Sequence, residues 1–262
     1  MNRELGALMK MRVLGCAGGI GGRERLTTCL MVDHDILLDA GTGVTSLALD
    51  ELRQIRHVFL THSHLDHVAG LALLVDAAQI SKSGGITVYA TQKVIDALKM
   101  HLFNWVLWPD FSTIPNEREP AMRWQAIEHG VALELGGRLI TPFAVNHAAG
   151  ASAYWVRSAR GGFLFTGDMG STPQLWERLA DEPLLRQVIV DCSFTNSDSA
   201  LAELSLHFCP HTLSEEIRAM PQAIEFLIYH LKPGQEDLIM RELAEESSRQ
   251  FRAVHCGDVF EY

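Results

Sequence analysis

Between Thr61 and His67 the chain reads THSHLDH, which gathers His62, His64, Asp66 and His67 into six positions. Imidazole and carboxylate are the ligand types of zinc, manganese and iron. Burying so many polar groups with nothing to pair them is strongly unfavourable. One ion rarely needs this many groups from one loop, whereas two ions sharing a bridging hydroxide do. The segment therefore predicts a centre of two divalent cations, with zinc the first choice and manganese or iron the alternatives.

The elements around the motif must aim these side chains. The preceding run IRHVFL is apolar, so His62 and His64 fall where a buried strand gives way to a loop, and strand alternation turns them to one side. Asp66 and His67 follow at a helix entrance and approach the same point from the other flank. Further ligands are expected at strand ends, where the scaffold is rigid. Three apolar runs end in a ligand-type residue: LITPFAVNH in His147, GGFLFTGD in Asp168 and EFLIYH in His230. By contrast, His57, His129 and His255 read as hydrogen-bonded or exposed polar residues.

Strand-like runs recur along the chain as MRVLGC, TTCLMV, DILLDAG, HVFLTH, ITVYA, LITPFAV, ASAYWV, GGFLFTGD, QVIVDCS, EFLIYH and FRAVHCGDVF. Helices are expected over Val44 to Leu52, Asp66 to Ser81, Thr91 to Phe103, Thr212 to Met220 and Gln235 to Ser247. Strand pairs come first and helices alternate later, the pattern of a layered α/β domain. The 262 residues, 47% hydrophobic, suit a single domain over 1–262 with a sizeable core. WPDFSTIPNEREP is the longest irregular piece and reads as a surface loop or a lid. No stretch offers about 18 uncharged apolar residues, so no membrane span is expected. Five widely spaced cysteines with no CxxC pair read as the reduced thiols of a cytoplasmic protein. The net charge of −10 should repel a phosphate backbone, which argues against a nucleic-acid partner.

The motif HxHxDH, followed by His147, Asp168 and His230, resembles the metallo-β-lactamase superfamily from LGCAGG to YHLKP. The resemblance implies a four-layer αββα sandwich. It further implies that His62, His64 and His147 hold one cation, that Asp66, His67 and His230 hold a second, and that Asp168 bridges them.

Within the superfamily, THSHLDHVAGL, HLFNWVLWPDFSTIP, VDCSFTNSDSALAELSLHFCPHTLSEEI and IYHLKP are similar, in order, to segments of class II cyclic nucleotide phosphodiesterases. Ala72, Val75 and Met169 depart from that signature and bear on substrate preference. The resemblance implies hydrolysis of cyclic nucleotides such as cyclic AMP or cyclic GMP to 5′-monophosphates, and a homodimer. A hydroxide between two cations is ionised near neutral pH and can attack phosphorus in line. Asp66 could also accept a proton from that water. His207, in LSLHFCP, is the candidate phosphate contact or general acid. His211 is expected to be structural, as a cap of the helix near Thr212. Among Phe103, Trp105, Trp108 and Phe111, Trp108 is the candidate for stacking on a base. Two other readings compete. One is a ribonuclease Z-like tRNA 3′ processing endonuclease, disfavoured by net charge and by an aromatic, acidic insertion from Leu102 to Arg123. The other is a protein that binds cyclic nucleotide or metal without turnover.

Overall fold

The computed structural model describes residues 8–22, 25–79 and 85–262. The strands are β1 (Lys10–Gly15), β2 (Cys29–Val32), β3 (Ile36–Leu38), β4 (His57–Phe59), β5 (Ile86–Ala90), β6 (Met122–Ala126), β7 (Leu133–Leu135), β8 (Arg138–Ala144), β9 (Ser152–Arg157), β10 (Gly162–Phe165), β11 (Leu185–Asp191), β12 (Glu225–Tyr229), β13 (Phe251–Ala253) and β14 (Val259–Glu261). The helices are α1 (Leu49–Leu52), α2 (Leu65–Val68), α3 (Leu71–Gln79), α4 (Gln92–His101), α5 (Pro173–Leu179), α6 (Ser199–Ser205), α7 (Pro210–Glu216) and α8 (Glu236–Glu246).

The strands form two seven-stranded sheets, ordered β14-β1-β2-β3-β4-β5-β6 and β13-β12-β11-β10-β9-β8-β7. Period-two alternation sorts their side chains into layers. In β12, Leu227 and Tyr229 enter the core between the sheets, while Phe226 and Ile228 face the helices outside. In β10, Phe163 and Phe165 point inward and Leu164 outward. With both faces covered, the central strands read as unbroken apolar runs. A second outer core joins β4 and β5 to α3 and α4. The order is thus helices, sheet, sheet, helices, the αββα sandwich of the metallo-β-lactamase fold. Among the described residues no helix is long and apolar enough to cross a membrane.

Several expected elements differ in detail. The helix expected over Val44 to Leu52 divides into a 3₁₀ turn (Thr42–Ser46) and α1, because the Ala48 N–H is capped by the Glu51 carboxylate at 2.9 Å and Ala48 is extended. The one expected from Asp66 breaks at Gly70, where a Cβ would lie 2.5 Å from Gly41 O; its expected end at Ser81 lies outside the described residues. The helix placed at Thr212 starts at Pro210, a residue preorganised for a first helical turn. FRAVHCGDVF is two strands, β13 and β14, which join opposite sheets. β6, β7, α5 and α6 were not expected at all. The irregular segment after Trp108 is a surface loop that buries Phe111 and hydrogen-bonds to β6 through Met122 N and Phe111 O (3.2 Å).

In each sheet antiparallel strands lead into parallel ones, β3 to β6 and β10 to β13. The carboxyl ends of β4, β10, β11 and β12 open toward one edge of the sandwich. Ser152 N donates to Thr61 O at 2.9 Å there, across the seam between the sheets.

Candidate metal centre

The residues beyond those strand ends converge. His62 Nε2 lies 3.8 Å and His147 Nε2 3.9 Å from Asp168 Oδ2, and His147 Nε2 is 3.3 Å from His64 Nδ1. On the other side His67 Nε2 lies 3.2 Å from Asp168 Oδ1, while His230 Nε2 is 3.1 Å from Asp66 Oδ2 and 3.2 Å from Asp168 Oδ2. Two groups result, His62 with His64, His147 and Asp168, and Asp66 with His67, Asp168 and His230. In each, the ligand atoms lie within 4.8 Å of one another. Asp168 belongs to both.

Four of these imidazoles are oriented from behind. The Asp39 carboxylate accepts from Thr61 N (2.7 Å), from Thr61 Oγ1 (2.8 Å) and from His67 Nδ1 (2.7 Å). Thr61 Oγ1, having given its proton to Asp39, accepts from His62 Nδ1 at 3.0 Å. His147 Nδ1 donates to Leu206 O at 2.9 Å. Ser193 Oγ donates to Asp191 Oδ1 at 2.5 Å and accepts from His230 Nδ1 at 2.8 Å. Each Nδ1 thus carries the hydrogen, and each Nε2 turns a lone pair inward. Tyr229 Oη fixes Asp168 in the same way, donating to Oδ1 at 2.8 Å.

Lone pairs and carboxylate oxygens therefore face one another at hydrogen-bond distances. The Nε2 atoms of His62 and His67 are buried and make no hydrogen bond. A divalent cation in each group would relieve this, so the donor set fits metal.

Protonation agrees. Burial holds His62 well below the ordinary histidine range, reinforced by the neighbouring His67, and burial likewise lowers His64 and His147, which favours the neutral imidazole that could hold a cation. Burial pushes Asp66 up, but its contacts with His230 and His67 outweigh that and bring it down to about 2. At His67 burial is outweighed by Asp168 and Asp39, which raise its pKa, so on this ring a proton competes with a cation for the inward lone pair.

The backbone is shaped around the site. Asp39 and His230 adopt left-handed conformations (φ 58° and 62°), uncommon for residues with a side chain. His230 is held there by its N–H donating to Cys16 O at 2.7 Å, and only glycine fits at position 18, where a Cβ would lie 2.3 Å from His230 O. Gly167, immediately before Asp168, has φ +61° and sits against Thr61.

His207 adjoins both groups. Its ring stacks on His230 at 5.2 Å and meets His147 at 5.0 Å. Its Nδ1 donates to Asp191 Oδ2 at 2.6 Å. Burial lowers its pKa, but the charge and hydrogen bond of Asp191 outweigh burial and raise it. His211 is exposed, links α7 to α8 through Glu246 at 3.1 Å and stands apart from the cluster; Cys209 is the cap of α7. The ring of Trp108 packs against the outer core of the first sheet rather than the histidines. His57 hydrogen-bonds Tyr89 and His129 hydrogen-bonds Ser152.

Sequence reasoning missed Asp39, Asp191, Ser193 and Tyr229. A signal existed for two of them: DILLD and QVIVD are apolar runs ending in aspartate, the pattern that singled out Asp168.

Residues 34–235 match the family model described as the beta-lactamase superfamily domain. The chain is similar to a probable 3′,5′-cyclic-nucleotide phosphodiesterase of Yersinia pestis, 28% identical and covering 79% of this chain and 68% of that one. It is also similar to a ribonuclease Z of Pyrobaculum islandicum, 25% identical over 68% of this chain and 72% of that one. The metallo-β-lactamase fold protein YhfI from Bacillus subtilis superposes with a TM-score of 0.79 at 19% identity, covering 98% of this chain and 100% of that one. With more than half its length matched to the model and the fold in agreement, the chain belongs to the β-lactamase superfamily.

Proposed function

We propose that this protein is a metal-dependent phosphodiesterase that hydrolyses 3′,5′-cyclic nucleotides, cyclic AMP, cyclic GMP or both, to 5′-monophosphates. The observation that carries the reading is His207: a proton donor backed by buried Asp191 and lying against both ligand groups. Opening a cyclic phosphodiester expels a sugar alkoxide, a poor leaving group that needs a proton. Similarity to the phosphodiesterase of Yersinia pestis supports the same substrate class.

In this reading His62, His64 and His147 would hold one divalent cation, Asp66, His67 and His230 a second, and Asp168 both. Zinc suits this donor set, and manganese or iron share it. When bound, the cations supply ionised water near neutral pH and positive charge against the phosphorane-like transition state. The protein supplies the rest. Asp39, Thr61, Ser193 and the Leu206 carbonyl hold the imidazole tautomers. Asp66, anionic at neutral pH, would hold metal and also offers a carboxylate to accept a proton from the attacking water. His207 gives its proton to the departing 3′ oxygen, and Asp191 stabilises the imidazolium beforehand. Its raised pKa keeps the acid form present to higher pH than in a free histidine.

Ribonuclease Z-like processing of tRNA is the second reading, favoured by the Pyrobaculum similarity. Against it stand the charge of −10 and a 102–123 segment that is aromatic and acidic rather than basic. The deciding experiment assays cyclic mononucleotides, cyclic dinucleotides, a bis-aryl phosphodiester and precursor tRNA before and after chelation. Cyclic mononucleotides should be cut fastest, with 5′-monophosphate as product, and chelation should abolish the activity. Preferred cutting of RNA would overturn the proposal. Tight binding of cyclic nucleotide with no monophosphate released would make the protein a binder instead.

A further inference from the structure

The hydrolytic reading leaves Cys16 and Cys256 without a task. They share the wall of a cavity of about 460 Å³ between the tip of β1, the turn joining β13 to β14, and α8. We propose that Cys16 and Cys256 are an oxidisable dithiol that closes to an intramolecular disulfide when the protein meets a peroxide.

Backbone contacts hold the two segments face to face. Val13 N donates to Asp258 O at 2.9 Å, Gly257 N donates to Val13 O at 2.8 Å, and Cys16 Sγ donates to Val254 O at 3.3 Å. Within this frame both side chains line the same cavity, and each is the strongest influence on the other's titration. The neighbouring Cys16, outweighing burial, brings the Cys256 thiol down to about 6, which favours its thiolate. Both cysteines are half-buried, whereas Cys29, Cys192 and Cys209 are fully buried in the cores. Gly257 follows Cys256 at φ +96° with open space around it, giving the turn room to adopt disulfide geometry.

The chemistry balances with peroxide as the oxidant. The Cys256 thiolate attacks one peroxide oxygen, an S–O bond forms as the O–O bond breaks, and the departing hydroxide leaves as water. The Cys16 sulfur then attacks the Cys256 sulfenic acid; the S–S bond forms, the S–O bond breaks, and the hydroxide leaves with the Cys16 proton as a second water. Two thiols are oxidised by two electrons and one peroxide is reduced to two waters.

The test treats the folded full-length protein with hydrogen peroxide and maps its peptides by mass spectrometry without reduction. The wild type should give one dominant linked species joining the Cys16 and Cys256 peptides, reversed by a dithiol. Cys16→Ser should accumulate sulfenic acid at Cys256, trapped by a carbon-acid probe, and Cys256→Ser should leave Cys16 a thiol. Unlinked thiols at both positions while a cysteine peptide in the same tube oxidises, or linkage through Cys29, Cys192 or Cys209, would overturn the proposal. The wild-type mapping decides even where a variant folds poorly.

Discussion

At the scale of single residues, the task proposed for His207 has a consequence that a structural histidine would not share. A general acid matters in proportion to the basicity of the leaving group. His207→Ala should therefore lower turnover of a cyclic nucleotide about 10²- to 10⁴-fold, and that of an aryl ester with an acidic phenol far less. Metal content, measured on the same samples, should stay near that of the wild type; loss of metal would make His207 a ligand. Asp39 calls for the opposite readout. It touches no substrate in this reading but fixes the tautomers of His67 and, through Thr61, of His62. Asp39→Asn should weaken metal binding about 10- to 100-fold in a chelator competition, the range for a group that orients a ligand from behind. The sequence made the inner residues legible because HxHxDH is dense and local. Asp39 and Asp191 carried the same cue of an apolar strand ended by aspartate, but nothing local distinguishes a carboxylate that would touch metal from one that holds an imidazole. Ser193 and Tyr229 gain their roles only through contacts 37 and 61 residues away in the chain.

At the scale of elements, the central strands were readable because both faces are buried, and the helix starts because their caps are local. β6 and β7 were not, since MRWQA and LEL sit at sheet edges with much of their surface exposed and no continuous apolar run. α5 and α6 are seven-residue helices, too short for helical periodicity to separate from turn. Trp108 illustrates the limit from the other side: an aromatic run has the same spelling whether it stacks on a base or fills a core. Two elements can be probed directly. At Gly167 a side chain would meet the left-handed φ and a Thr61 contact of 2.8 Å, so Gly167→Ala should destabilise the fold by about 1–3 kcal/mol and disturb Asp168. A urea titration with metal analysis reads both. Arg138, opening β8, pairs with Asp33 (2.9 Å) and Asp35 (2.6 Å) in the β2–β3 turn and so ties one sheet to the other. Burial raises Asp35, but Arg138 outweighs it and holds the carboxyl below its ordinary value. Stability from this pair is accordingly complete above pH about 4 and falls away as acid protonates the native carboxylate. Arg138→Met should lose about 1–2 kcal/mol at pH 7, and the gap to wild type should narrow below pH 4.

At the scale of the whole molecule, the site is where two halves of one sandwich meet. His62, His64, Asp66 and His67 come from the first sheet, and His147, Asp168 and His230 from the second. A cation held by either group would therefore bridge the sheets across a seam otherwise joined at that edge by contacts such as Ser152 to Thr61. Binding in the folded state alone should then be felt by global stability. A ligand at about a thousand times its dissociation constant stabilises by about 4 kcal/mol, which for a domain of this size raises the thermal midpoint by about 10 °C. Chelation should lower the midpoint by that order, and zinc or manganese should restore it, as followed by calorimetry. The seam makes a further distinction. Asp168→Asn alters the one residue common to both groups, so its midpoint should respond little to added metal, whereas His64→Ala, at the exposed margin of one group, should keep much of the response. Equal responses in the two variants would mean that the cations bind without joining the halves, and the stabilisation would have to come from one sheet alone.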